Sequence, residues 1–273
     1  MSDRFRLLAT EFTIDTDSDE VRRRIREVAP SPRQGMDVLQ RHTLIARQVD
    51  GEFRIAGGSG GDDFELTAFY AAENLLRRMH RDALAALPDH VRLRAAIGWS
   101  GGGSFLIAGP RYSGKTTLAL RLLFEGCDVS GDDLVLVADG QAMAFPWRFR
   151  VNEPSVAFLP QLRELPAVVA RKGASARDWW FPVDPTDFGR DWNIAPATVS
   201  AVFYLEANHG ARSRVIETGK LDMARRLLAQ ATAPPSGRGQ WISEIARMLD
   251  GARTCLVELG DPGSAVIAMK GLL

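Results

Sequence analysis

Residues 108–123 read AGPRYSGKTTLALRLL, and this stretch decides the fold. Gly109, Gly114, Lys115 and Thr116 match the pattern G-x-x-x-x-G-K-[ST]. The apolar run SFLIA precedes the loop and an amphipathic run follows it, which predicts strand, loop and helix in that order. Each residue type has a physical task. Glycines let successive backbone N–H groups turn inward onto phosphate oxygens, and the start of the helix adds its positive dipole end. The residues Gly109, Pro110, Arg111, Tyr112, Ser113, Gly114, Lys115, Thr116 and Thr117 are therefore the candidate nucleotide cradle. Lys115 is expected to reach the β- and γ-phosphates, and to face solvent when they are absent. The Thr116 hydroxyl is expected to ligate Mg²⁺. Of the 34 basic residues only four are lysine, and one of them stands where a compact ammonium is needed.

Downstream lies EGCDVSGDDLVLV, residues 125–137. The interval from Lys115 to Asp132 suits one helix and a return strand. A parallel crossover would bring Asp132 and Asp133 to the carboxyl end of the neighbouring strand, beside the loop. One carboxylate there can join the Mg²⁺ shell, and the other can take the proton of an attacking hydroxyl.

The rest of the chain predicts a mixed α and β protein. FRLLATEFTI (5–14) alternates as a single strand, and SDEVRRRIREVA follows as a short helix. HTLIARQVDGEFRIAG reads as a hairpin turning at Asp50-Gly51, and GGSGGDD (57–63) as a flexible joint. Residues 64–87 carry Leu66, Phe69, Leu76, Met79, Ala83 and Leu87 at helical spacing, closed by Pro88. VRLRAAI reads as one strand before the loop. Asp139-Gly140 marks a second hairpin, TVSAVFYLEA a buried strand, and residues 220–230 and 241–250 two helices flanking a mobile ATAPPSGRGQ. A strand and a helix close the chain. The division expected is an N-terminal α+β region, 1–88, and a nucleotide-binding domain, 89–273.

Residues 146–198 are rich in Pro, Trp and Asp. Trp179, Trp180, Phe181, Trp192, Asp178, Asp184, Asp187 and Arg190 there suggest a lid, or a long loop packing its own aromatics, with Arg177 and Arg190 as candidate phosphate clamps. His42, His80 and His209 have no ligand spacing.

Composition narrows the function further. The chain has 273 residues, is 45% hydrophobic and has a net charge of +0, so it carries no broad basic surface for nucleic acid. Cys127 and Cys255 make no disulfide framework or zinc spacing. No apolar run is long enough to span a bilayer, and MSDRFRLLATEF is too interrupted by charge for a signal peptide. A reduced, cytoplasmic protein that stays off the membrane is expected, with self-association left open.

The stretch GPRYSGKTTLALRLLFEGCDVSGDDLVLV resembles the catalytic segment of the HPr serine kinase/phosphorylase family, more closely its divergent HPr-kinase-related branch. The family has a phosphate loop, a helix ending in Gly, and an Asp-Asp pair six residues on, as Gly126 and Asp132 reproduce. The resemblance covers roughly residues 90–140. It implies a P-loop kinase core related to phosphoenolpyruvate carboxykinase, ATP and Mg²⁺ as cofactors, Asp132 as base, and Asp133 with Thr116 at the metal. Family members carry a His near the start of the strand before the loop. This chain has Arg94 there, with His90 four residues earlier. Arg94 is expected to lie against Asp132 or the γ-phosphate and, beside Asp132, to lower its pKa. The Glu-x-Arg-Gly segment of true HPr kinases is absent. The resemblance thus implies a kinase acting on a Ser or Thr hydroxyl of a small protein or peptide, such as a ribosomally made, lasso-type precursor. A small-metabolite kinase and a non-catalytic nucleotide-binding regulator or assembly partner are the alternatives.

Overall fold

The computed structural model describes residues 2–30, 36–165, 180–208, 210–232 and 238–273. The protein is mixed α/β and divides into two compact units, Met1–Pro88 and Asp89–Leu273. Among the described residues, no helix is long and apolar enough to cross a membrane.

The first unit is a five-stranded sheet, β1 (Ser2–Leu7), β2 (Thr10–Thr16), β3 (Gln40–Val49), β4 (Glu52–Gly57) and β5 (Asp63–Glu65), in that order. Two helices, α1 (Asp19–Val28) and α2 (Ala68–Ala85), accompany it. Three expectations are corrected here. The strand predicted over 5–14 is a hairpin, with Leu7 opposite Thr10. Its turn residues, Leu8 and Ala9, are fully buried, and Leu8 takes a φ of 52°. No Gly, Asn or Asp announces that turn, so alternation ran through it. The helix predicted from residue 64 starts at Ala68, because Asp63–Glu65 pair with β4 and Thr67 caps α2 at Tyr70 N. Leu66 accordingly lies outside the helix and is exposed.

The GGSGGDD segment is tied down. Arg78, fully buried on α2, donates to the carbonyls of Gly57 (2.8 Å) and Gly61 and pairs with Asp63. Its Nε donates to Asn74 Oδ1 at 3.0 Å. The buried Asp82 accepts from Ser59 N at 3.1 Å and from the Ser59 hydroxyl. Glycines here let the chain pass close to these side chains.

The second unit is built on a six-stranded sheet. It contains β7 (Ala95–Ser100), β8 (Gly103–Ala108), β9 (Asp128–Val129), β14 (Val199–Ala207), β15 (Arg214–Glu217) and β17 (Arg253–Leu259). The order is β15-β17-β14-β8-β7-β9. β8, β14 and β17 run parallel, while β7 is antiparallel to both β8 and β9. β8 leads through the glycine loop into α3 (Lys115–Phe124). α3 packs Leu118, Ala119 and Leu122 into a core with Phe105, Ile107, Phe203 and Val257. A four-stranded sheet joins β6 (Val91–Leu93), β10 (Val135–Ala138), β11 (Gln141–Ala144) and β16 (Ala231–Thr232). A two-stranded ribbon pairs β12 (Phe149–Asn152) with β13 (Trp180–Val183). Among the described residues, the other α-helices are α4 (Glu153–Phe158), α5 (Lys220–Leu228), α6 (Arg238–Leu249) and α7 (Pro262–Lys270).

Two more expectations change. VRLRAAI is two strands in different sheets, β6 and β7, with Arg94 at the break. The crossover after α3 does not reach the neighbour of β8. That place is taken by β7, which folds back through Gly101-Gly102 at φ 59° and 89°, so the chain returns one strand further out as β9. Of the linker ATAPPSGRGQ, residues 233–237 lie outside the described residues, as do Arg177, Asp178, Trp179 and His209.

Arg78→Ala removes the bonds to the Gly57 and Gly61 carbonyls and the pair with Asp63, and leaves a void. We expect a loss of about 3 kcal/mol in unfolding free energy, from buried hydrogen bonds to a charged group, read as a lower urea midpoint. An unchanged midpoint would show that the loop does not rely on Arg78.

Candidate phosphate-loop site

The loop is formed where backbone space is scarce. Gly109 follows Ala108, which sits between Ala95 of β7 and Tyr204 of β14. A Cβ at Gly109 would lie 2.8 Å from Ser113 Oγ and 2.9 Å from the Leu205 carbonyl. Gly114 caps α3 at φ 91°, and a Cβ there would lie 2.6 Å from Leu259 Cδ2. Both positions demand glycine. Between them Pro110, Arg111 and Tyr112 are exposed, and Tyr112 holds a φ of 63°. A bulky residue in left-handed backbone is strained, and such strain is typical of ligand-holding loops.

Lys115 is not solvent-facing, contrary to expectation. It is buried, and its Nζ donates to the carbonyls of Gly109 (2.9 Å) and Pro110 (2.8 Å). A buried ammonium must find acceptors, and the loop's own carbonyls supply them. Burial lowers its pKa, Asp133 and Asp132 oppose that, and Arg94 adds to it. Ser113 Oγ is buried with no hydrogen-bond partner. A buried donor without a partner inside a glycine loop suits a phosphate oxygen. The Thr117 hydroxyl is 3.4 Å from Ser155 Oγ, a contact between the first turn of α3 and the segment after β12.

The paired aspartates arrive by a different route from the one the spacing suggested, but they reach the loop. Ser130 N donates to Ile97 O (2.9 Å) and Ser130 Oγ accepts from Asn193 N (2.8 Å). Gly131 turns the chain at φ 84°, against the Phe145 carbonyl. Asp132 is then buried and hydrogen-bonds with Thr116. Burial pushes its pKa up to about 7, and Asp133 adds to this. The Thr116 hydrogen bond and the charges of Lys115 and Arg150 act the other way. Asp133 is half-exposed, with Arg94 Nε 3.5 Å from its carboxylate.

Arg94 therefore pairs with Asp133 and not with Asp132, because Leu93 is registered opposite Val135. The lowering of the Asp132 pKa expected from Arg94 does not occur, since desolvation dominates there. His90 does not take the place of Arg94. The register runs Val91 opposite Val137, which leaves His90 at the Asp139-Gly140 turn. Arg190 is no phosphate clamp either. It bonds the Gly126 carbonyl (3.1 Å) and Asp128 (3.2 Å), just beyond the far end of α3. At 1.5 Å per residue that is about 15 Å from the loop. Within the aromatic stretch, Asp184 and Asp187 form a capping box, Asp184 also pairs with Arg148, and Trp192 is buried.

Sequence reasoning missed Arg150, Ser155 and Ser130. Arg150 was legible: in WRFRV the apolar Phe149 and Val151 alternate with Arg148 and Arg150, a strand with one charged face. Ser155 and Ser130 carry no local signal.

The residues fit a Mg²⁺-nucleotide. Among the described residues, no group of three or more His, Cys, Asp or Glu could hold a metal. Mg²⁺ commonly needs only one or two protein oxygens when phosphates supply the rest, and Thr116 and Asp133 offer two. No family model matches this chain, and no curated protein matches its sequence.

Asp132 also sets a stability test. Unfolded, an Asp titrates near 3.9. Folded, it holds its proton to about pH 7, so its contribution is complete in acid and is lost as pH rises to 7. Asp132→Asn has no proton to lose. In EDTA, the variant's advantage over the parent protein should grow by about 3 kcal/mol between pH 5 and pH 8. An advantage independent of pH would contradict the burial of this carboxylate.

Proposed function

We propose that the chain is an ATP-dependent kinase that transfers the γ-phosphoryl group to a Ser or Thr hydroxyl of a small protein or peptide. The observation that carries this reading is the Thr116–Asp132 hydrogen bond at the mouth of the Lys115 loop. A loop that only binds phosphate has no need of a buried carboxylate titrating near neutrality. A phosphotransferase has that need, since a base works best with a pKa near the operating pH. The fold we propose for residues 89–273 is a P-loop kinase core of the HPr kinase and phosphoenolpyruvate carboxykinase type.

The chemistry follows from the residues. Lys115 exchanges the Gly109 and Pro110 carbonyls for phosphate oxygens, and Ser113 and the loop N–H groups complete the cradle. Thr116 and Asp133 would hold Mg²⁺, which would offset phosphate charge. The Thr116 proton points to Asp132, leaving its lone pairs for the metal. Asp132 accepts the proton of the acceptor hydroxyl as the new O–P bond forms and the bond to the leaving ADP breaks. Arg94 holds Asp133 in place. The missing Glu-x-Arg-Gly segment argues against HPr as acceptor and favours another small protein or a peptide, a ribosomally made precursor among them.

The test is transfer of labelled γ-phosphate into the cell extract and into candidate peptides. Lys115→Ala should weaken ATP–Mg binding or abolish transfer. Asp132→Asn should slow transfer by about 10²–10⁴-fold with nucleotide affinity little changed, and Asp133→Asn should raise the Mg²⁺ requirement. Normal transfer by Asp132→Asn would remove the base assignment. Label moving to a metabolite would replace the peptide acceptor, and ATP binding without any acceptor would replace the kinase with a nucleotide-binding regulator.

A further inference from the structure

Between its two glycines the phosphate loop makes a tight turn. Ser113 N donates to Pro110 O at 3.3 Å, which leaves Arg111 and Tyr112 as the two central residues. The same Pro110 carbonyl accepts from Lys115 Nζ at 2.8 Å. By standard peptide dimensions the Arg111 Cα is then within about 6 Å of the ammonium.

The turn has an inner and an outer face. Ser113 and Lys115 are buried, at 2% and 7% exposure, and Ser113 Oγ has no hydrogen-bond partner. Pro110, Arg111 and Tyr112 are exposed. The phosphates of a nucleotide suit the inner face, where the buried donors are. Arg111 and Tyr112 meet what arrives from solvent, and in a phosphotransferase that is the acceptor.

The fold makes no use of either side chain. Among the described residues, Arg111 has no hydrogen bond or ion pair, and Tyr112 has no hydrogen bond or ring contact. Tyr112 is 88% exposed and holds a φ of 63° at the third position of the turn, where glycine is favoured. Backbone strain of this kind clusters at ligand-holding loops. Arg111 also differs from Arg94, whose charge is paired with Asp133. Its planar fork suits a carboxylate, the anion that an acceptor peptide can bring.

We propose that this turn reads the acceptor: Arg111 pairs with a carboxylate one or two residues from the phosphorylated hydroxyl, and the Tyr112 ring packs against the same segment. This rests on the kinase reading above and makes an acidic peptide segment the substrate class. An extended peptide advances about 3.3 Å per residue, so one or two residues cover the roughly 6 Å between the Arg111 Cα and the Lys115 ammonium.

The experiment is transfer of labelled γ-phosphate from ATP–Mg to an array of serine-centred peptides, with Glu, Gln or Lys fixed at one flanking position at a time. The full chain is compared with Arg111→Ala, Arg111→Glu and Tyr112→Gly. At one position the parent protein should favour Glu over Gln by about tenfold or more in kcat/KM, the size of one hydrogen bond to a charged group. Arg111→Ala should bring that ratio to about one, and Arg111→Glu should turn the preference to Lys. A ratio taken within one variant does not depend on how much of it is active. Tyr112→Gly should raise KM for the favoured peptide without lowering the thermal midpoint, since glycine suits that backbone. A parent protein without a charge preference, or a preference that Arg111→Ala leaves intact, overturns the proposal. Slower transfer by the same factor for every peptide would assign Arg111 to the nucleotide instead. Label that enters proteins of the cell extract but no peptide of the array overturns recognition of a local segment. In each of these cases the kinase reading stands. A parent protein that transfers label to no peptide or protein overturns that reading and acceptor recognition with it.

Discussion

The second unit is organised around one buried ammonium. Lys115 stands at the first turn of α3 with its charge withdrawn from water, and two loop carbonyls are its hydrogen-bond acceptors. A buried charge is tolerated only when it is bonded. This requirement fixes the loop's path: Gly109 must bring its carbonyl round, Gly114 must adopt left-handed backbone, and neither has room for a side chain. β8 between β7 and β14 sets the base of the loop, and the apolar face of α3 holds its far side. Under the proposed function, phosphate oxygens would take the place of these two carbonyls at the Lys115 ammonium.

The aspartates extend the same logic. Asp132 is desolvated like Lys115 and is held near neutrality by that burial, while Asp133 one residue on is half-exposed and paired with Arg94. Two adjacent carboxylates thus occupy different environments, which separates their chemistry. The Thr116 hydroxyl joins the two halves of the site, since it follows Lys115 in sequence and bonds Asp132 in space. Arginines complete the electrostatics at the rim, each on a separate strand or strand break, where a stiff backbone limits their reach.

Local signals made much of this legible. The glycine spacing with Lys115 and Thr116 marked the loop, because only glycine fits the two contacts seen at Gly109 and Gly114. The Asp50-Gly51 and Asp139-Gly140 pairs marked two turns, since both positions in each take positive φ. What stayed hidden was non-local. The turn at Leu8-Ala9 has no turn residue, and its φ is imposed by the burial of both side chains. The break at Arg94 exists because β6 and β7 join different sheets, which no window of sequence records. The burial of Lys115 and Asp132 follows from packing between elements far apart in the chain, and so does the elevated pKa of Asp132. Arg190 looked like a phosphate ligand by composition alone, and the length of α3 places it at the wrong end.

The central claim is that the Lys115 ammonium exchanges loop carbonyls for phosphates. The chain has only four lysines, so selective ¹³Cε labelling gives a spectrum in which Lys115 can be assigned by its loss in Lys115→Met. Titrating the labelled protein with ATP–Mg is the most direct measurement. The account predicts that the Lys115 signal shifts saturably, while those of Lys220 and Lys270 stay fixed. A Lys115 signal unmoved at millimolar ATP–Mg would contradict it.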